Sequence, residues 1–308
     1  MRFLSLFAAA LMAGCATTGT PMIQPKDAVA VIAHRGASAY APENTLAAFE
    51  LAVAMHADWY ELDCLLTLDN HVIVTHDGTL DRCTNGEGAV AEKTLDQLKT
   101  LDAGSWFDPK FAGEPMPTLA ESLAMAKNRI GVYVEIKSAA DDGPLMGQLW
   151  EAARGQETMD DALAGQLIRL VEENGSRNLM LARQAIADIR AARMEPQVVI
   201  QSFSPVICLV ARAEAPDIRT EYLGSYDAEK PEAWDRFIEW GMLIGVEGFN
   251  VSHHSINPER LAFFHNAGKS VAVWTVDKED DMRRYIGWGV NAIITNRPDV
   301  LRSVLAGG

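Results

Sequence analysis

The chain has 308 residues, 48 % of them hydrophobic and 22 % charged, which is typical of soluble globular proteins and excludes disordered, fibrous and disulfide-rich miniproteins. Its only long apolar run lies at the extreme N-terminus, which excludes a polytopic membrane protein. The formal net charge of −15 disfavours nucleic acid as a partner, because phosphate backbones bind basic surfaces.

Residues 1–14 have the features of a signal peptide. Arg2 gives the positive end, residues 3–12 form an apolar stretch too short to span a bilayer, and two small residues precede Cys15. This pattern resembles the lipobox of bacterial lipoproteins. We therefore expect a lipid on Cys15, a tether over residues 15–27, a membrane partner through that lipid, and export to the bacterial cell envelope (periplasm or outer membrane). An ordinary secreted protein with an incidental Cys15 is the alternative.

Three cysteines follow the predicted leader: Cys64, Cys83 and Cys208. Their number is odd and their spacing matches no zinc site. An exported protein permits a Cys64–Cys83 disulfide, and three buried thiols fit the sequence equally well.

From residue 28 onward, strand-like and helix-like segments alternate. Strands are predicted at residues 30–34, 60–66, 132–137, 198–203, 219–223, 247–251, 271–276 and 292–295. Helices are predicted between most of them, at residues 45–55, 119–127, 163–173, 186–193, 231–239, 258–266 and 280–287. Eight such units favour an α/β fold of the closed (β/α)₈ type, a TIM barrel over residues 28–308.

One strand, at residues 72–76, breaks the alternation. It follows strand 60–66 too closely for a parallel crossover, so the two must form an antiparallel hairpin. This hairpin returns His76 toward the end of the second strand. Residues 78–117 then lack barrel periodicity, and we interpret them as a small insertion over one face of the barrel.

Charged side chains are concentrated where the first three barrel strands end. His34 and Arg35 close the first strand, and a His–Arg pair suits an anionic substrate. Glu61 and Asp63, two residues apart, share one face of the second strand, and Glu135 lies on the third. Three carboxylates would form an all-oxygen site that favours Ca²⁺ or Mg²⁺ over zinc. An exposed edge with ordinary ion pairs is the alternative.

Two histidines flank this acidic cluster in the predicted fold. His34 and His76 would form an acid–base pair near neutral pH. The remaining histidines have no such surroundings. By composition alone, Trp274 on the seventh strand is a core residue.

These motifs together resemble the glycerophosphodiester phosphodiesterase family. The resemblance rests on the strings His34-Arg35-Gly36, Pro42-Glu43-Asn44-Thr45, Glu61-Leu62-Asp63, His76-Asp77, Glu135-Ile136-Lys137, Gln201-Ser202-Phe203 and Trp274-Thr275-Val276, and it extends from Val31 to Pro298. It implies a TIM barrel with an insertion after the His-Asp motif, and hydrolysis of glycerophosphodiesters to sn-glycerol 3-phosphate and an alcohol. A longer stretch at residues 141–196 departs from the family pattern.

The resemblance also implies residue roles. Glu61, Asp63 and Glu135 would bind one divalent cation, commonly Ca²⁺ or Mg²⁺, and His34 and His76 would act as general acid and base. Arg35 and Lys137 would hold phosphate oxygens, and Trp274 would line the pocket. The sequence leaves open the head group, the metal, the oligomeric state, and whether a glycerol hydroxyl or water attacks phosphorus.

Two other functions fit parts of the sequence. The same barrel could cleave lysophospholipids in the manner of a phospholipase D, with Trp106, Phe107 and Phe111 of the insertion as an apolar rim. A non-enzymatic surface-binding lipoprotein is the other alternative, which the complete set of acids, histidines, Arg35 and Lys137 disfavours.

Overall fold

The structure is a computed structural model that describes residues 28–307. The predicted leader, Cys15 and the tether lie outside the described residues. Within residues 28–307 the strands are β1 Ala30–Ala33, β2 Trp59–Leu66, β3 Val72–Val74, β4 Gly131–Ile136, β5 Val198–Ser202, β6 Arg219–Gly224, β7 Gly248–Ser252, β8 Ser270–Trp274 and β9 Ala292–Thr295.

Eight of these strands form a closed parallel barrel. The order is β1-β9-β8-β7-β6-β5-β4-β2, and pairing of β1 with β2 closes the ring. The predicted TIM barrel is therefore confirmed. Parallel strands in a barrel are buried on both faces, and every residue of β1, β4, β5 and β9 is buried.

Helices surround the barrel. They are α1 Leu46–Ala54, α2 Leu95–Leu98, α3 Leu119–Ala126, α4 Gly143–Ala152, α5 Asp161–Asn174, α6 Arg177–Ala192, α7 Pro205–Glu214, α8 Pro231–Ile244, α9 Pro258–Asn266, α10 Glu279–Trp288 and α11 Pro298–Ala306. Side-chain caps start several of them: Thr45 accepts from Ala48 N, and Thr118 forms a capping box with Glu121. Within the described range, no helix is both long and apolar enough to cross a bilayer.

The predicted hairpin is present. β3 runs antiparallel to the end of β2, with Cys64 opposite Val74, and Thr75 N donates to Asp63 O at 3.0 Å. Residues 78–117 follow as the expected insertion. Together with Ile73 of β3, they form a core cluster separate from that of the barrel, whose buried residues are Ile73, Leu80, Val90, Leu98, Ala103 and Met116. The hairpin therefore brings His76 beside the end of β2.

The stretch between β4 and β5 contains three helices, α4 to α6, which confirms that it exceeds one helix. The helix predicted at 186–193 is only the last part of α6. Asn178 near the start of α6 is fully buried and accepts from Ala139 N and Ala140 N, at 2.6 and 3.1 Å. This side chain thereby fixes the loop that leaves β4.

The three cysteines of the described range are free. Cys64 packs in the layer between barrel and helices, whereas Cys83 lies in the insertion and is partly exposed. The Cys64–Cys83 disulfide is therefore not formed, and only two of the three thiols are buried.

Candidate active site

Three carboxylates converge inside the barrel at the carboxyl ends of β2 and β4. Glu61, Asp63 and Glu135 offer oxygens that lie within 4.8 Å of one another, and their residues are 1 %, 1 % and 7 % exposed. The register explains the meeting, because Asp63 pairs with Glu135 across the two strands. Side chains alternate along a strand, so Trp59 shares the interior face and belongs to the apolar cluster inside the barrel.

Two positively charged side chains compensate the negative charge of the buried carboxylates. Arg35 Nε lies 3.2 Å from Asp63 Oδ2, and Lys137 Nζ lies 2.7 Å from Glu135 Oε1 and 3.4 Å from Asp63 Oδ1. Burial acts to raise the pKa of Asp63, but Arg35 and Lys137 outweigh it and lower that pKa. Burial and the neighbouring carboxylates raise the pKa of Glu61 well above its ordinary value. Burial, followed by repulsion from Asp63, raises the pKa of Glu135 to about 7.

The cluster suits a hard divalent cation. All of its donors are carboxylate oxygens, which Ca²⁺ and Mg²⁺ prefer, and two of the carboxyls have raised pKa values without an ion. Like charges this close require a positive partner, and Arg35 and Lys137 supply only two. The three carboxylates therefore fit the divalent cation that the sequence predicted.

The loop after β1 wraps around the acids. Arg35 N donates to Glu61 Oε2 at 2.9 Å, and Asn44 Nδ2 donates to Asp63 Oδ2 at 2.9 Å. Arg35, Gly36 and Asn44 all have left-handed backbone conformations, with φ of 55°, 81° and 59°. At Gly36 a Cβ atom would lie 2.6 Å from the carbonyl carbon of Ala48, so only glycine fits there.

Both candidate histidines line the cavity beside the acids, and each has a different Nδ1 partner. His34 Nδ1 lies 2.7 Å from Asn296 Oδ1, and burial, followed by the charge of Arg35, lowers the pKa of His34 to about 4. His76 Nδ1 lies 2.7 Å from Asp77 Oδ1. Hydrogen bonds from Arg82 and then His76 lower the pKa of Asp77 to about 2. Asp77 therefore remains a carboxylate that orients His76.

Arg82 of the insertion connects the two sides of the site. Its guanidinium donates to both oxygens of Glu43, at 2.8 and 2.9 Å, and its Nε donates to Asp77 Oδ2 at 2.6 Å. Glu43 in turn accepts from Arg35 Nη1 at 2.8 Å. Arg35 and His76 are thus held by one chain of charged groups.

The cavity above the acids has a volume of about 190 Å³. Its other wall is apolar and includes Phe203, Leu223 and Trp274, with the rings of Phe203 and Trp274 5.5 Å apart in an edge-to-face contact. A groove of about 490 Å³ adjoins it and shares His34 and Arg35. A larger cavity of about 540 Å³ lies on the outer surface around α8 and α9, away from the acidic cluster.

The structure brings together all eight side chains that the sequence analysis selected: His34, Arg35, Glu61, Asp63, His76, Glu135, Lys137 and Trp274. Trp274 is half-buried: it packs against the apolar cluster inside the barrel and also lines the cavity, so it is not the purely core residue that composition suggested. Trp106, Phe107 and Phe111 do not line this cavity and instead contact one another within the insertion. The roles of the eight residues stay predictions.

Sequence reasoning missed the groups that support these side chains, namely Glu43, Asn44, Asp77, Arg82, Asp277 and Asn296. Glu43 and Asn44 belong to the Pro42-Glu43-Asn44-Thr45 string, but the local periodicity of the sequence does not show that these two side chains support the site.

Comparison with known proteins gives consistent matches. The model of the glycerophosphoryl diester phosphodiesterase family matches residues 34–300. The glycerophosphodiester phosphodiesterase of Caldanaerobacter subterraneus subsp. tengcongensis is 33 % identical over 281 residues, covering 90 % of this chain and 98 % of the relative. A glycerophosphodiester phosphodiesterase of Bacillus subtilis is 32 % identical over 291 residues, covering 91 % of this chain and 88 % of the relative.

A solved structure of an Oleispira antarctica phosphodiesterase, in complex with the product sn-glycerol-3-phosphate, superposes with a TM-score of 0.72. It is 25 % identical in sequence, and the match covers 90 % of this chain and 96 % of the other.

Proposed function

This chain belongs to the glycerophosphoryl diester phosphodiesterase family, and we propose that it cleaves glycerophosphodiesters to sn-glycerol 3-phosphate and an alcohol, using one divalent cation and two histidines. Family membership makes it a phosphodiesterase with a small-molecule substrate. The ion, the roles of the histidines and the residues that hold phosphate are the proposed part.

One observation carries the proposal: three buried carboxylates within 4.8 Å, two cationic side chains and two histidines surround a single cavity. A phosphodiester is anionic and repels nucleophiles, so its cleavage needs positive charge at the phosphate oxygens. Ca²⁺ or Mg²⁺ held by Glu61, Asp63 and Glu135 would supply part of that charge.

The protein's own groups provide the rest. Arg35 offers planar donors to phosphate oxygens, and Lys137 offers a point charge. Arg35 Nε lies 3.2 Å from Asp63 Oδ2, and Lys137 Nζ lies 2.7 Å from Glu135 Oε1. Both groups therefore reach the region where phosphate would bind. Trp274 and Phe203 provide an apolar surface for the carbon atoms of glycerol.

The two histidines would exchange protons with the substrate. His34 is neutral at neutral pH because burial lowers its pKa to about 4, so it suits the group that accepts a proton. His76, oriented by Asp77, would return a proton to the departing alcohol. Either water or a glycerol hydroxyl can serve as the group that His34 deprotonates. Water would give glycerol 3-phosphate directly, whereas the hydroxyl would give a cyclic phosphate that water then opens to glycerol 3-phosphate.

Activity of the soluble chain from Ala16 on a panel of glycerophosphodiesters tests the proposal. We expect chelation to abolish turnover and added Ca²⁺ or Mg²⁺ to restore it; full activity after exhaustive chelation would remove the ion from the mechanism. His34→Ala and His76→Ala should each lower turnover by about 10²–10⁴-fold. The control is His71→Ala, because the His71 side chain is 55 % exposed. A histidine variant that keeps more than about a tenth of wild-type turnover would contradict the role assigned to that histidine, because the loss would be smaller than expected.

The same panel tests the lysophospholipid alternative. Glycerophosphocholine and lysophosphatidylcholine differ by an acyl chain, and the 190 Å³ cavity is not lined by the aromatic side chains of the insertion. We expect glycerophosphocholine to be the better substrate.

We further propose that Cys15 carries a lipid that anchors the enzyme in the bacterial cell envelope. Support comes from the sequence of residues 1–15. Labelled fatty acid should be incorporated into the wild type and not into Cys15→Ser, which should also leave the membrane fraction.

A further inference from the structure

The side chain of Asn296 lies between His34 and Asp277. Asn296 follows the last residue of β9, and its Oδ1 is 2.7 Å from His34 Nδ1. Its Nδ2 is 2.7 Å from Asp277 Oδ2. Asn296 therefore forms a bridge between a carboxylate outside the cavity and a histidine that lines it.

Asp277 determines which way this amide points. A carboxylate only accepts hydrogen bonds, and Asp277 Oδ1 already accepts from Thr295 Oγ1 at 3.0 Å and from Asn296 N at 2.8 Å. Asp277 Oδ2 must then face the Nδ2 donor of Asn296. A reversed amide would place two oxygens 2.7 Å apart, with no proton between them.

The orientation of the amide fixes the proton on His34. Because Asn296 presents an oxygen to His34, the hydrogen bond between them needs a proton on His34 Nδ1. A neutral imidazole carries one proton, so Nε2 is left with its lone pair. Nε2 lies on the opposite side of the ring from Nδ1, and His34 lines the cavity.

We propose that Asn296, held by Asp277, is a positioning residue that keeps His34 in the Nδ1–H form and leaves Nε2 as the proton acceptor in the cavity. The inference rests on the proposed function, in which His34 removes a proton from the attacking hydroxyl. It goes beyond that function because it assigns the reacting nitrogen and two supporting residues.

Nitrogen-15 NMR of histidine-labelled, metal-free protein tests the inference independently of catalysis. We expect the wild type at neutral pH to show His34 protonated at Nδ1 only. Asn296→Ala removes the acceptor, and Asp277→Asn removes the group that orients it while changing the side-chain volume little. In both variants His34 should populate the Nε2–H form as well.

Kinetics provide the second measurement. Loss of a group that orients a reacting histidine should lower kcat by about 10–100-fold, with KM changed much less. The matched control is Asn291→Ala, because Asn291 Oδ1 pairs with His265 Nε2 at 2.9 Å and lies at the opposite end of β9. This control should keep the wild-type kcat and the wild-type His34 spectrum.

An Asn296→Ala or Asp277→Asn protein that is folded by thermal melting and retains pure Nδ1–H His34 would overturn the inference. If Asn296→Ala does not fold, the His34 spectrum of Asp277→Asn alone decides whether the inference holds. A shift to the Nε2–H form together with unchanged kcat would also overturn the positioning role. Absence of diesterase activity in the wild type, with the spectra as expected, would instead refute the proposed function and keep the tautomer assignment.

Discussion

Replacing Glu135 with glutamine should stabilise the metal-free protein while abolishing its activity. In the folded state the pKa of Glu135 is raised from 4.5 to about 7, first by burial and then by Asp63. The unfolded chain therefore ionises this group first, and the free energy of unfolding falls as pH rises from about 4.5 to about 7. At about 1.4 kcal/mol per pH unit, the loss is about 3 kcal/mol above pH 7. Glutamine resembles the protonated acid and avoids this loss.

Urea unfolding at two pH values measures the effect. In chelator at pH 8, Glu135→Gln should raise the free energy of unfolding by up to about 3 kcal/mol, and at pH 4 by almost nothing. Added Ca²⁺ should stabilise the wild type, by about 4 kcal/mol at 1,000 times its dissociation constant, and should have little effect on the variant.

The matched control is Glu221→Gln. Glu221 is also buried, at 2 % exposure, and it pairs with Arg219 Nε at 2.7 Å as Glu135 pairs with Lys137, but it lies outside the cluster of three carboxylates, so its replacement loses an ion pair without relieving that repulsion. The same chemical change should therefore lower stability, by about 1.5–3 kcal/mol. A Glu135→Gln protein that is no more stable than the wild type at pH 8, or equally stabilised at pH 4, would refute the argument from repulsion between buried acids.

Three further outcomes follow from the geometry. Arg82→Met should lower kcat by about 10–100-fold, because Arg82 holds Glu43 and Asp77; unchanged kinetics would show that the bridge is dispensable. Gly36→Ala should destabilise the protein by more than Gly155→Ala, measured as the difference in free energy of unfolding. Both glycines have positive φ (81° and 78°), which costs about 1–2 kcal/mol in an L-residue, but only the new Cβ at position 36 meets other atoms within 4 Å. In an NMR titration of the metal-free protein, the His34 ring should gain its second proton near pH 4, and a midpoint at pH 6 or above would contradict the effect of its burial.

The barrel could be predicted because parallel strands leave a strong local pattern. The observed strand ends differ from the predicted ones by at most two residues, and β9 matches at both ends. Helix α7 was not predicted, because Val206 to Ala211 are six consecutive apolar residues, all buried, and a short apolar run of this kind fits a buried strand as well as a helix. The first half of α6 was missed for a different reason: buried Asn178 there serves the loop after β4 rather than an apolar face.

The acidic cluster could also be predicted, since residues two apart on a strand share a face. Its supporting groups could not. His34 and Asn296 are 262 residues apart, and they meet only because β9 pairs with β1 when the barrel closes. Glu43 and Arg82 are 39 residues apart and meet only through the packing of the insertion. Contacts of this kind depend on tertiary structure and leave no periodic signal along the chain.

The separate core of residues 78–117 has an evolutionary consequence. The segment leaves and rejoins the barrel at neighbouring points, since Val74 N donates to Pro117 O at 2.8 Å. A segment with adjacent ends can be lengthened, shortened or exchanged for the corresponding segment of another family member without disturbing the barrel strands. Chimeric enzymes made in this way should fold. Among the grafted side chains, an arginine equivalent to Arg82 would have to be retained to keep Glu43 and Asp77 in place.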